Sequence, residues 1–350
     1  MSQSRRVPLP VLAIAFAAAI VAAADDEAKP KPEAAIVPVR APGNVFGGKE
    51  TEYKFTVEAK KAVKGRASWR LAAGTATVTA GEMNFAAAPE APATIAIKLA
   101  VPPLKDGVVL ATKLTISAIE AGQNKPIATH EQDVWVFPED PFADKAEWLK
   151  GLKLNLYDPV GATNKLLATA KVPFDELRDV DAVAGSKEGV VIIGEGVSFK
   201  EERGLAAALD KLAAGGRVVL CLAPVDGELV VPGLGGPADK QQALSFRRDI
   251  VRQLDKRFDP DGWAADAKTV ASTIGVKVND GAAVGEVAPV GGWPWAEARY
   301  AHGGRWAVCG LAVVARWEAS PTPRFLLVRM LEHLTEPEQP KTEPKKESDR

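Results

Sequence analysis

The chain has 350 residues, 44 Lys and Arg against 45 Asp and Glu, and a formal net charge of −1. Its 47% apolar and 25% charged residues are ordinary for a globular protein, and its length suits two domains with separate cores. The near-zero charge and the lack of a basic patch exclude an extended nucleic-acid surface, so we expect no nucleic-acid partner.

The first 24 residues predict a secretory signal peptide. Arg5 and Arg6 precede an apolar run from Val11 to Ala24, which ends in small residues that fit a cleavage site. The run is shorter than the roughly 20 residues that a bilayer span needs. We therefore expect an exported protein, periplasmic or extracellular, without stable membrane insertion after cleavage; an uncleaved anchor is the alternative. Residues 25–35 are charged and rich in proline, which predicts a solvated linker.

Residues 36–138 carry short runs in which apolar and polar residues alternate, such as TEYKFTVEA and ATIAIKLAVP. Period-2 alternation with frequent turn residues predicts an antiparallel β-sandwich, immunoglobulin-like in pattern but without the disulfide pair of antibody domains. Trp69 is its predicted large core residue. Two prolines, Pro138 and Pro141, stiffen the chain around the start of a predicted hinge at residues 139–150.

Residues 151–334 predict an α/β domain with a doubly wound parallel sheet. The clearest pattern is a strand–helix–strand crossover between Gly189 and Pro224, whose two strands are continuously apolar, as in sheets covered on both faces. Further predicted helices cover residues 161–177, 240–258 and 323–334, and further predicted strands cover residues 269–278, 295–301 and 306–314. Residues 335–350 are charged and contain proline, which predicts a disordered tail.

Three segments of this domain carry a resemblance to a known family. They are VVIIGEG at residues 190–196, RVVLCLA at residues 217–223 and VVARWE at residues 313–318. With these placed on strands, the domain resembles the class I glutamine amidotransferase-like fold, a flavodoxin-like sheet. The resemblance implies an oxyanion turn after the first segment, a nucleophile at Cys221 in the second, and a His-x-Glu pair in the third.

The residues at these positions depart from the family's catalytic pattern. The G-x-C-x-G elbow that exposes the thiol has Val219 and Ala223 in place of its glycines. Arg316 stands where the family has its histidine, and an arginine does not act as a base near neutral pH; Glu318 matches the family's glutamate. The resemblance therefore implies a degenerate domain without catalytic residues or a cofactor. Similar domains behind β-sandwiches accompany secreted glycoside hydrolases, which implies an accessory binding module for a carbohydrate or another secreted protein.

Several polar residues are expected beyond the carboxyl ends of the parallel strands, where ligands bind in open α/β sheets. They are Asp158, Glu195 and Glu318, together with Cys221 and Arg316. Carboxylates beside an arginine serve acid–base catalysis, grip a sugar or form a salt-bridged rim. A glycosidase-like hydrolase using these carboxylates is therefore the alternative to a non-catalytic binding protein.

Three tryptophans, Trp263, Trp293 and Trp295, lie in or beside glycine- and proline-rich stretches. Indoles in such places stack on sugars or plug a sheet edge, and both possibilities stay open. The three histidines are scattered, so no metal site is predicted. Cys221 and Cys309 are predicted to stay unbridged, because Cys221 ends its predicted strand and Cys309 lies near the start of its own.

Overall fold

The computed structural model describes residues 33–231, 243–260, 274–278, 283–288, 292–300 and 302–336. The predicted signal peptide, the linker up to residue 32 and the predicted tail from residue 337 lie outside these residues. Among the helices of the described residues, none combines the length and the apolar character that crossing a bilayer requires.

The described residues up to 137 form two packed β-sheets. Strand order is β1-β3-β6 in one sheet and β2-β8-β7-β4-β5 in the other, and only the pair β2–β8 is parallel. The strands are β1 (Ala34–Arg40), β2 (Asn44–Phe46), β3 (Glu50–Ala59), β4 (Val63–Ala73), β5 (Ala76–Ala87), β6 (Ala93–Ala100), β7 (Leu110–Glu120) and β8 (Pro126–Phe137). The predicted β-sandwich is thus present.

Alternation along the strands builds the sandwich core. On β3, Tyr53, Phe55 and Val57 are fully buried, while the residues between them face outward. Trp69 is only half-buried, and it lies over Gly81, where an added Cβ would come within 2.4 Å of the indole. The prediction that Trp69 is the large core residue is therefore wrong, because Tyr53 and Phe55 fill that place.

The rest of the described chain forms an α/β unit. Its strands are β9 (Asn155–Tyr157), β10 (Asp175–Leu177), β11 (Val190–Ile193), β12 (Val218–Leu222), β13 (Glu228–Val231), β14 (Ala243–Arg247), β15 (Ile274–Val278), β16 (Ala283–Val287), β17 (Trp295–Arg299) and β18 (Arg305–Cys309). Its helices are α1 (Ala146–Leu152), α2 (Ala162–Thr169), α3 (Val180–Ala184), α4 (Leu205–Ala214), α5 (Ile250–Leu254) and α6 (Pro321–Thr335).

Seven strands of this unit form one sheet in the order β10-β9-β11-β12-β18-β17-β14. The first five run parallel, and β17 runs antiparallel to both of its neighbours. A smaller sheet has the order β13-β15-β16. The parallel core fits the predicted α/β domain, whereas the antiparallel edge was not predicted.

Both faces of the large sheet are covered. Helices α1, α2, α5 and α6 pack on one face, and α3, α4 and the small sheet pack on the other. Strand β11 shows why its sequence is apolar throughout: Val190 and Ile192 face the first cluster, and Val191 and Ile193 face the second.

Three predicted elements of this unit differ from the structure. The helix predicted over residues 161–177 ends at Thr169, and residues 175–177 form β10 instead. The predicted helix over residues 240–258 is wrong, because residues 243–247 pair with β17 as a strand and only residues 250–254 are helical. The predicted strand over residues 306–314 ends at Cys309, and residues 313–319 form turns. The helix predicted at 323–334 is confirmed as α6, which begins with a proline at its first position.

The predicted hinge is a packed junction between the two units. Phe142 is buried and stacks on Trp317 with ring centroids 6.1 Å apart, and α1 occupies the end of the predicted segment. Across the junction, Asn44 Nδ2 donates to Thr322 Oγ1 at 2.6 Å, and both residues are buried. The aromatic ring of Phe137 packs against Phe325 at 4.8 Å.

Candidate functional site

The carboxyl edge of the parallel strands brings together the turn after β11 and the turn after β18. Glu195 follows β11 by two residues, and its carboxylate accepts hydrogen bonds from the backbone N–H groups of Val314 at 2.7 Å and Ala315 at 3.0 Å. This side chain therefore ties the segment before α6 to the middle of the sheet.

Asp158 lies beside Glu195 at the same edge. Its Oδ2 accepts from the N–H of Asn164 in the first turn of α2 at 2.8 Å, and the N–H of Glu195 donates to Thr163 Oγ1 at 2.8 Å. An added Cβ on Gly194 would lie 2.4 Å from Asp158 Oδ1, so only glycine fits between β11 and this carboxylate. Asp158 Oδ1 is buried and has no hydrogen-bond partner among the described residues.

The environment of Glu195 disfavours its charge. Burial raises the pKa of its carboxyl, the N–H groups of Val314 and Ala315 act in the opposite direction, and the nearby charge of Asp158 raises the pKa further. The net direction is upward. Glu195 thus combines a structural contact with a carboxyl group that holds its proton more strongly than an exposed glutamate.

Cys221 lies within β12 and not on an exposed elbow. It is 1% exposed, and burial raises the pKa of its thiol, so the thiol stays protonated at neutral pH. The chain turns two residues later, at Ala223, which has φ +32° and whose N–H donates to Cys309 O at 2.6 Å. Cys221, which the resemblance implies as the nucleophile, is therefore buried in the core and not accessible to a substrate.

The two cysteines are unbridged, as predicted, but the predicted reason is wrong. Cys309 ends β18, and its register places it opposite Leu222, at the same end of the sheet as Cys221. Their side chains belong to different cores, because Cys221 faces the α4 side and Cys309 faces the α6 side. Opposite faces, not opposite ends, keep them apart.

Glu318 points to the domain junction. Its side chain is 74% exposed, forms an ion pair with Arg324 and lies 4.0 Å from Lys49 Nζ of the sandwich. The buried Arg324 also donates to the carbonyl oxygens of Trp317 at 2.8 Å and Glu139 at 2.9 Å. Arg316 lies in the same turn, with its N–H donating to Ala312 O at 3.1 Å. The two glutamates predicted at this edge therefore have different partners.

A cavity of about 630 Å³ opens where α2, residues 139–141 and the turn before α6 meet. Its walls include Asp140, Lys165, Leu166, Trp317, Glu318 and Arg324. Only Glu318 among these was predicted as a binding residue. The other residues come from segments far apart in the chain and carry no motif, so no sequence signal marks them.

The predicted tryptophans fall in three different situations. Trp295 is fully buried in β17 and packs edge-on to His333 of α6 at 6.2 Å, so of its two predicted possibilities the stacking on a ligand is excluded. Trp293 is half-buried between Phe246, at 5.9 Å, and the guanidinium of Arg248, at 4.7 Å. Trp263 lies outside the described residues.

Metal-ligating side chains do not gather in the described part of the chain. There, no group of three or more His, Cys, Asp or Glu side chains is arranged to hold a metal ion.

No family model matches this chain, and no curated protein matches it. Among solved structures, the sporulation control protein Spo0M from Bacillus subtilis is 12% identical over 34% of this chain and 55% of its own, with a TM-score of 0.25. The Calx CBD1 domain is 12% identical over 30% of this chain and 96% of its own, with a TM-score of 0.22. A Paenibacillus cycloisomaltooligosaccharide glucanotransferase is 9% identical over 54% of this chain and 28% of its own, with a TM-score of 0.26. Similarity this low carries no argument about fold or function.

Proposed function

We propose that this chain is an exported, non-catalytic binding protein whose α/β unit is a degenerate class I glutamine amidotransferase-like domain. The order β10-β9-β11-β12-β18 supports a flavodoxin-like sheet. When these five parallel strands are renumbered 1 to 5 in chain order, from β9 to β18, their order in the sheet is 2-1-3-4-5, the order of that fold. The signal peptide predicted at residues 1–24 supports a location outside the cytoplasm.

The observation that carries the proposal is the contact of Glu195 with the backbone of Val314 and Ala315. Reacting groups in such folds need open space beyond the carboxyl ends of the strands. Here the Glu195 carboxylate, which accepts from two backbone N–H groups, lies in that region and holds the turn before α6 in place. An edge arranged in this way suits a structural or binding role.

The chemistry of the family's nucleophile supports the same conclusion. A catalytic cysteine needs an accessible thiolate and a base to form it. Cys221 is buried with a raised pKa, and the base position holds Arg316. A glycosidase-like hydrolase is less well supported, because Asp158 and Glu195 bond to backbone N–H groups and Glu318 pairs with Arg324.

Thiol labelling and a glutaminase assay on the full chain test the proposal. We expect no rapid alkylation of Cys221 in the folded protein and labelling of both cysteines after denaturation. Cys221→Ala should cost about 1 kcal/mol of stability and leave binding unchanged. Cys309→Ala, in the same sheet but the opposite core, is the matched control. Glutaminase activity that Cys221→Ala abolishes would overturn the proposal.

A further inference from the structure

The cavity at the domain junction has the size of a small-molecule site. Its volume of about 630 Å³ lies within the range of roughly 300 to 1,000 Å³ usual for ligand pockets. Helix α2 forms one wall, residues 139–141 form the second, and the turn before α6 forms the third. Pockets at such junctions are common binding places.

The charges around this cavity are balanced. Arg324 pairs with Glu318, and Lys49 Nζ lies 2.8 Å from Glu139 and 4.0 Å from Glu318. Lys165 adds a cation on the α2 wall, and Asp140 adds an anion on the wall of residues 139–141. A charged ligand would compete with these pairs, whereas a neutral ligand leaves them intact.

The cavity also offers hydrogen-bonding groups beside an apolar surface. Asp140 Oδ1 accepts from the N–H of Phe142 at 2.8 Å, which fixes the orientation of this exposed carboxylate. The Lys165 amine supplies donors, and hydrogen bonds that involve charged groups are the stronger ones. Leu166 and the largely buried Trp317 supply the apolar part, with the indole held by its stacking on Phe142.

We infer that this cavity binds a neutral, hydroxyl-rich ligand of one or two sugar rings. Hydroxyl groups both donate to carboxylates and accept from ammonium groups, so one ring satisfies both walls without disturbing an ion pair. The ring carbons lie against Leu166 and Trp317. This inference rests on the proposed binding function and names its ligand class.

Calorimetric titration of the full chain tests this assignment. The probes are glucose, maltose and cellobiose, with glucosamine and glucuronate as charged rings of similar shape. We expect at least one neutral sugar to bind with a Kd of about 1 mM or tighter, and the charged rings to bind at least about tenfold more weakly.

Substitutions on α2 locate the site. Thr169 is exposed and lines the cavity, so Thr169→Trp fills the cavity from a position that tolerates bulk. Thr169→Trp should weaken binding at least about tenfold, and Lys165→Ala should weaken it about fivefold to tenfold. Lys211→Ala, an exposed lysine on α4 across the sheet, is the matched control and should bind normally.

Three outcomes would overturn the assignment: no neutral sugar binds at millimolar concentration, a charged ring binds more tightly, or Thr169→Trp binds as well as the parent chain. These outcomes are separable from failure of the proposed function. If Cys221 stays inert and glutaminase activity is absent while sugars fail to bind, the non-catalytic role stands and the ligand class is wrong.

Discussion

The sandwich and the α/β unit fill their cores in different ways. Among the described residues, the sandwich buries two polar side chains: Thr112, which donates to Val134 O at 2.6 Å, and Asn44, which bonds across the junction. The α/β unit buries charged groups, including Glu297, Arg305 and Arg324.

This difference has an energetic consequence. An apolar core loses stability in proportion to the area and packing removed, whatever the pH. The interactions of a buried charge with its partners offset the cost of its desolvation. When one partner is lost, this cost is no longer offset and the folded state is destabilised. The α/β unit should therefore respond strongly to single charge substitutions and to acid, and the sandwich should respond to neither.

The largest expected effect is that of Arg324→Met. The substitution removes the charged group that donates to the carbonyl oxygens of Trp317 and Glu139. It also removes the contact of this guanidinium with the Phe46 ring, whose centroid lies 4.6 Å away. We expect a loss of about 3 to 5 kcal/mol in denaturant unfolding. Arg66→Met is the control, since Arg66 forms an exposed pair with Glu82 at 3.7 Å and should cost under about 1 kcal/mol. Equal losses in both variants would contradict the comparison.

Acid should destabilise the α/β unit through Glu297. Burial opposes ionisation of this carboxyl, but contacts with His333 at 2.9 Å and Arg299 at 2.6 Å outweigh it and lower its pKa to about 2. A lowered folded-state pKa contributes stability above the unfolded value of 4.5, and this stability is lost as the pH falls toward about 2. The shift corresponds to about 3 kcal/mol.

Unfolding followed by tryptophan fluorescence at pH 7, 4 and 2.5 measures this loss, since six of the eight tryptophans come after residue 139. Glu297→Gln should flatten the dependence between pH 5 and pH 2.5. Because the carboxyls of Asp255 and Glu332 also have lowered pKa values, some acid dependence should remain in the variant. An unchanged slope in Glu297→Gln would contradict the prediction.

Glu195→Ala should have a smaller effect, about 1 to 2 kcal/mol, because it removes the acceptor for the N–H groups of Val314 and Ala315. Glu195→Gln should fall between the parent and Glu195→Ala, since its one oxygen keeps one of the two N–H bonds while its amide nitrogen, a donor, cannot accept the other. Thermal unfolding of both variants checks the order, and a Gln variant as unstable as the Ala variant would refute it.

The smallest expected effect is that of Ile116→Val in the sandwich core. Ile116 is fully buried among apolar side chains, and loss of one methylene should cost about 0.5 to 1.5 kcal/mol. Measured at pH 7 and pH 4, the cost should be equal within error. A cost that depends on pH would mean that the sandwich core also senses charge.

Local patterns predicted much of the fold. Alternation predicted the sandwich strands, and the spacing of apolar residues predicted the helix at residues 323–334, because both patterns depend on neighbouring residues. Residues 243–247 were mistaken for helix since their apolar spacing fits a helix, whereas pairing with β17 makes them a strand. The same limit misplaced Cys309, because the strand predicted over residues 306–314 in fact covers residues 305–309, so Cys309 ends it.

The site was predicted in part. The rule for open α/β sheets places Asp158 and Glu195 at one edge, and the structure brings them together. The partners of Glu195 are backbone N–H groups that any residue type supplies, so the sequence does not mark them. The junction cavity forms only when the two units pack, and no single segment carries its signal.

The position of β18 has a consequence for how the chain matures. This strand is the last of the described sheet to be synthesised, yet it lies between β12 and β17. Until residue 309 has emerged, β12 keeps an open edge and the two groups of strands have no connection through the sheet. The strands of the sandwich are complete once residue 137 has emerged, whereas the α/β unit exposes this unpaired edge, a site that favours aggregation, until β18 is made.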